Sequence, residues 1–81
     1  MKKTPLVTIC IPTYNVENTL KSTLNSIINQ SYKNIIIKIV DNCSSDKTIQ
    51  IAASFKDRRI KIFRYKKKVV AEENFNRCIK L

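Results

Sequence analysis

No glycine occurs in the 81-residue chain, and no histidine. The missing glycine excludes the two commonest phosphate-binding turns. A dinucleotide turn needs G-x-G-x-x-G so that the backbone can approach a pyrophosphate, and a P-loop needs G-x-x-x-x-G-K-[ST]. The missing histidine leaves Cys10, Cys43 and Cys78 without an imidazole partner, and their spacing is not that of a metal site. Zinc is not expected, nor is a cysteine nucleophile. Cys10 falls in a strand pattern and Cys78 on an apolar helix face, so both read as small core residues, while Cys43 falls in a loop. An odd set of three also speaks against a disulfide framework. Acidic residues are scarce, six against sixteen Lys and Arg. No apolar run approaches the roughly 20 residues needed to span a bilayer. Met1-Lys2-Lys3 leads through Thr4-Pro5 straight into a strand pattern with no signal-peptide core. A cytoplasmic location is expected, with the inner face of the membrane open to so basic a chain.

What is present describes one domain at most, residues 1–81, and at that length less than a whole enzyme domain. Hydrophobic residues make up 43%, too many for a disordered segment. The core is expected to be thin, because domains this short bury only about 60% of their unfolded surface. The formal net charge of +10 implies attraction to phosphate-rich partners: nucleotides, nucleic acid or an anionic membrane surface.

The run from Val7 to Ile11 predicts a buried strand closed by Pro12. Asn15 stands where an N-cap would, with Glu17 in the first helical turn, where a carboxylate complements the helix dipole. Val16, Leu20, Leu24, Ile27 and Ile28 recur at steps of three and four and make one apolar helix face. The second strand, from Ile35 to Asp41, is apolar almost throughout, the pattern of a central parallel strand covered on both faces. Lys38 interrupts it and must snorkel or sit near an end of the sheet. Ser44 or Ser45 caps a second helix with Asp46 in its first turn and Ile49, Ala52 and Ala53 inward. Ile60 to Tyr65 alternates partly, as an edge strand does, and runs into Lys66-Lys67-Lys68. Ala71, Phe75, Cys78 and Ile79 mark a third helix that has no stop signal before Leu81, which reads as a truncated chain. The order is β-α-β-α-β-α. Right-handed crossovers make it a three-layer α/β/α half with a small parallel sheet. Polar groups gather at the C-terminal ends of the first two strands, the ligand-binding edge of such a sheet.

At those ends the residues resemble a known family. Val7-Thr8-Ile9-Cys10-Ile11-Pro12-Thr13-Tyr14-Asn15, the helix through Leu20, Leu24, Ile27 and Ile28, Gln30-Ser31-Tyr32, and Ile39-Val40-Asp41-Asn42-Cys43-Ser44-Ser45-Asp46-Lys47-Thr48 are similar to the N-terminal portion of a family 2 glycosyltransferase of GT-A fold, which is Rossmann-like. Asn74-Phe75-Asn76-Arg77-Cys78-Ile79 is similar to that family's next helix. The resemblance implies a nucleotide-sugar pocket, with Pro12, Thr13 and Tyr14 wrapping the base and ribose, Glu17 as the acid early in the first helix, and Asp41 as the acid ending the second strand. A carboxylate at Asp41 can accept a hydrogen bond from the N3–H of uracil. It further implies an inverting transfer of sugar from a nucleoside diphosphate donor, a UDP-sugar favoured, to an acceptor hydroxyl in polysaccharide assembly. The complete enzyme would use Mn²⁺ or Mg²⁺, held by a motif expected beyond Leu81 together with the catalytic base. No metal site is expected within the chain. The pattern is departed from at Asn42, where members often carry a second acid, and at Lys47 and Val69, where glycine is common.

Plainer readings stand beside these. Asp41 reads as a nucleotide contact or as a turn and capping residue, and Glu17 as a contact or as a dipole-complementing surface acid. Arg64-Tyr65-Lys66-Lys67-Lys68 reads as a phosphate or membrane contact, or as a solvated edge that blocks strand pairing. The alternative function is a non-enzymatic basic module that binds nucleic acid or another polyanion. The family's strand order implies that Val7 to Ile11 is left as an exposed edge that invites self-association.

Overall fold

The structure, a computed structural model, describes residues 4–80. Its elements are β1 (Val7–Thr13), α1 (Leu20–Ile28), β2 (Ile35–Asn42), α2 (Thr48–Ser54), β3 (Ile60–Tyr65) and α3 (Ala71–Lys80). The three strands form a parallel sheet in the order β1-β2-β3, with Val7 beside Ile35 and Thr13 beside Asp41 on one side of β2, and Ile37 beside Ile60 on the other. The expected α/β architecture and element order are those observed. None of the helices is long and apolar enough to cross a membrane among the described residues.

Strand alternation explains the layers. Ile35, Ile37 and Ile39 are buried in one cluster with Leu20 and Leu24 of α1 and Ala52 of α2, so the odd-numbered positions of β2 face those two helices. The even-numbered positions face α3. There the Asn74 side chain donates to the Val40 carbonyl at 3.0 Å. β1 follows the same parity through its register: Ile9 and Ile11 pack on the α1/α2 cluster, and Cys10 lies beside Cys78 of α3. Lys38 sits mid-strand and half-buried on the α3 face.

Several boundaries differ from expectation. β1 runs through Pro12 to Thr13. Proline is tolerated because β1 is an edge strand, so its missing N–H need not face a partner. α1 begins at Leu20, not near Asn15, and has no acid in its first turn. Residues 17–19 form a turn instead, and the Val16 carbonyl accepts from the N–H of Leu20 at 2.9 Å. Ala53 is exposed, and Ile51 takes the inward place with Ala52. On α3 the buried residues are Asn74 and Cys78, whereas Phe75 and Ile79 are 54% and 68% exposed.

A chain without glycine must give its left-handed backbone positions to other residues. Asn15, Cys43 and Lys56 hold φ values of 50°, 61° and 51°. Asparagine tolerates this region best of the three. Lys56 directly follows the C-cap of α2, Phe55, where glycine is the usual choice.

Candidate functional site

The C-terminal ends of β1 and β2 and the turn after β2 carry four buried polar residues, Thr13, Asp41, Asn42 and Ser44, with Thr48 of α2 and Asn74 of α3 buried beside them. Asp41 and Asn42 are adjacent on β2, so they point to opposite faces of the sheet. Asp41 belongs to the α1/α2 face and is 0% exposed. Its carboxylate accepts from the Thr13 hydroxyl at 2.7 Å, from the Ser44 hydroxyl at 2.6 Å and from the Ser44 N–H at 2.8 Å. The left-handed turn at Cys43 brings Ser44 back over the strand end to make those contacts.

Above Asp41 the segments that lead into α1 and α2 bind each other. The N–H groups of Asn15, Val16 and Glu17 donate to Ser44 Oγ, Thr48 Oγ1 and Asp46 Oδ2 at 2.9, 2.9 and 3.1 Å. In return, Asn15 Oδ1 accepts from the N–H of Ser45 at 2.8 Å and of Asp46 at 3.3 Å, and Glu17 Oε2 accepts from that of Lys47 at 3.4 Å. Asp46 also takes the Thr48 N–H at 2.9 Å. Burial alone would raise the Asp46 pKa. Hydrogen bonds from the Thr48 hydroxyl and from the Thr48 and Glu17 amides outweigh it, holding the carboxyl below its ordinary range. Neither helix has a side-chain cap at its own N-cap residue, Thr19 or Lys47. The amides of the two lead-in segments are satisfied across the pair, while the first amide of each helix is met within its own segment, Leu20 by the Val16 carbonyl and Thr48 by Asp46.

Asn42 faces the other way, toward α3. Its amide forms a two-way pair with the backbone of Val69: Nδ2 donates to the carbonyl at 2.6 Å and Oδ1 accepts from the N–H at 2.8 Å. Arg77 reaches the same place, donating to Asn42 Oδ1 at 3.4 Å, to Asn74 Oδ1 at 3.3 Å and to the Lys67 carbonyl at 2.9 Å. Its guanidinium lies 4.0 Å from the centroid of the Tyr65 ring. The backbone on both sides of Lys68 is therefore pinned, and its ammonium rests 4.2 Å from the centroid of the Tyr14 ring.

Between these groups lies a cavity of about 160 Å³, lined by Pro12, Thr13, Tyr14, Asn42, Ala71 and Asn74. Sites that enclose a whole small molecule measure roughly 300–1,000 Å³, so this one can seat a ring and little more. Tyr14 is 40% exposed at its rim. A shallower hollow of about 440 Å³ is lined by Lys67, Lys68, Val69, Val70 and Glu73.

The match of the chain to known proteins bears on this edge directly. The model of glycosyl transferase family 2 matches residues 8–81. The chain belongs to this family. Among relatives of family 2, an uncharacterized glycosyltransferase of Haemophilus influenzae is 43% identical over 61 residues, covering 73% of the chain and 24% of the relative. The glycosyltransferase GlyA of Streptococcus pneumoniae is 45% identical over 51 residues, 63% of the chain and 7% of its own length. An Escherichia coli protein, UDP-Glc:alpha-D-GlcNAc-diphosphoundecaprenol beta-1,3-glucosyltransferase WfaP, is 46% identical over 55 residues, 68% of the chain and 22% of its own. The matched part of the chain thus spans a quarter or less of the length of these relatives.

Of the residues that the family 2 resemblance singles out, the structure brings Pro12, Thr13 and Tyr14 together at the cavity. Asp41 lies on the opposite face beneath Ser44, and Glu17 lies in the turn before α1 against the start of α2. Asn42, Asn74 and Arg77 join the site without having been singled out as contacts, and Lys68 joins it from the basic run read as a phosphate contact or a solvated edge. The parity of β2 is the signal that could have found Asn42, since the residue after a buried acid at a strand end must face the other layer. Among the described residues no group of three or more His, Cys, Asp or Glu could hold a metal ion. They offer no seat for the divalent cation that the resemblance implies.

Proposed function

We propose that this chain is the nucleotide-binding portion of an inverting glycosyltransferase, which transfers sugar from a nucleoside diphosphate donor to an acceptor hydroxyl. The observation that carries the reading is the ring-sized cavity at the C-terminal edge of β1 and β2, with Tyr14 at its rim. Open α/β sheets bind ligands at that edge. The base lies against Tyr14, whose ring supplies a stacking surface, and main-chain groups of Pro12 and Thr13 complete its contacts. Asp41 acts one step removed: by accepting the Thr13 hydroxyl it fixes the backbone that meets the base. Glu17 joins the starts of α1 and α2 and so holds the same turn. A UDP-sugar is the favoured donor, a choice supported by the relative named for UDP-Glc.

Titration of the ¹⁵N-labelled chain with UDP, GDP and CMP tests this. UDP is expected to shift the amides of Thr13, Tyr14 and Asn42. Tyr14→Ala is expected to weaken binding by roughly tenfold, the scale of base–aromatic stacking. No shift with any nucleotide would overturn the reading. Equal, salt-steep binding to RNA of any sequence would favour the polyanion-binding alternative.

A further inference from the structure

We infer that Lys68 is the phosphate-contacting residue of the donor site, and that it waits over the Tyr14 ring when the site is empty. The inference rests on the nucleotide-site reading above. Three observations carry it. First, the Lys68 ammonium sits 4.2 Å from the Tyr14 centroid, so it covers the ring face that a stacked base would take and needs only a turn of its stem to follow the phosphates attached to that base. Second, the position is built. Asn42 holds Val69 through two hydrogen bonds, and Arg77 holds the Lys67 carbonyl, so the backbone on both sides of Lys68 is fixed while its four-carbon stem is free to turn. Third, the charge is available. The ion pair found among the described residues is Asp57–Arg59, and Lys68 has no carboxylate partner there, although Glu73 lines the neighbouring hollow.

An exposed ammonium–ring contact is weak. A charge-assisted hydrogen bond to phosphate is stronger. When a nucleotide enters, Lys68 exchanges the first for the second, leaving the ring to the base and covering the phosphates. The exchange makes no covalent bond and moves no proton.

The test compares the full chain with Lys68→Ala and Lys68→Gln, titrated with uridine and with UDP and followed by ¹⁵N NMR. Retained dispersion of the spectra checks that both variants fold. UDP binding is expected to weaken roughly three- to tenfold in both variants, as for a partly screened charge-assisted contact. Uridine binding is expected to stay unchanged or tighten, because the ring is uncovered. UDP binding should also lose part of its salt dependence. Unchanged UDP affinity, or equal weakening of uridine and UDP, would overturn the assignment while leaving the nucleotide site standing. A wild-type chain that binds neither would overturn the site itself, and the role of Lys68 with it.

Discussion

Asp41 and Asn42 divide two tasks that neither residue type can exchange. Asp41 is a buried acceptor for three donors, whereas Asn42 must donate and accept at once to pair with Val69. Asp41→Ala leaves the Thr13 hydroxyl and both Ser44 donors without their partner, and is expected to cost roughly 2–4 kcal/mol in urea denaturation. Asn42→Leu keeps the size of the side chain but removes both the donor and the acceptor that pair with Val69. A loss of roughly 1–3 kcal/mol is expected, with faster amide exchange at Val69. Stability equal to wild type in either variant would contradict the hydrogen bonding described. The cysteines differ in the same local way. Burial, and then the neighbouring Cys10 thiol, push Cys78 up to about 12. With iodoacetamide at pH 8, Cys43 in its half-buried loop is expected to alkylate before Cys78, as read by peptide mass mapping.

At the scale of elements, α1 and α2 are joined at their starts as much as along their sides. Each is short, nine and seven residues, below the length at which an isolated helix holds in water. The hydrogen bonds between residues 15–17 and 44–48, which tie the two lead-in segments together, supply what length does not. The far end of α2 is less well served, because Lys56 occupies a left-handed position. Lys56→Gly is expected to stabilise the chain by roughly 0.5–1 kcal/mol, the relief of the Cβ clash less the added freedom of the unfolded chain. A rise in Tm would show it, and a fall would refute it. The turn that follows is held by Asp57. The Arg59 side chain and backbone donate to its carboxylate and hold its pKa at about 2, against an ordinary 3.8. A depressed carboxylate stabilises fully above its unfolded pKa, so this contribution is lost as pH falls from about 4 toward 2. In acid titrations Asp57→Asn should flatten the loss of stability within that window.

At the scale of the molecule, the sheet has two open edges and an unevenly covered face. Among the described residues β1 pairs only with β2, and Leu6 and Val7 are exposed beside it. Across α3, Phe75 and Ile79 add apolar surface. Exposed edges promote pairing between chains, while a charge of +10 opposes it. The balance should turn with ionic strength, because the Debye length falls from about 30 Å at 0.01 M to about 8 Å at 0.15 M salt. Light scattering is expected to show monomers at low salt and self-association at physiological salt. A clean monomer at high concentration in both would exclude association through the β1 edge.

The sequence by itself determined the layers and their order. Continuous apolar character in β2, three-and-four spacing in α1 and partial alternation in β3 are local patterns, and burial follows from them directly. It also determined that Pro12, Thr13 and Tyr14 stand at the C-terminal end of the first strand, although that strand runs on to Thr13. The tertiary structure alone decided which way the polar residues look. Asn15 and Glu17 read as parts of the first helix, yet their side chains serve the start of the second, some 30 positions along, through contacts that no local pattern encodes. Phe75 and Ile79 carry a helical spacing, but the sheet beneath α3 is only three strands wide and buries Asn74 and Cys78 instead. Asp41 and Asn42 read as one polar strand end. Sheet parity and the left-handed turn at Cys43 send one beneath the helix starts and the other to the cavity, because adjacent side chains on a strand cannot share a face.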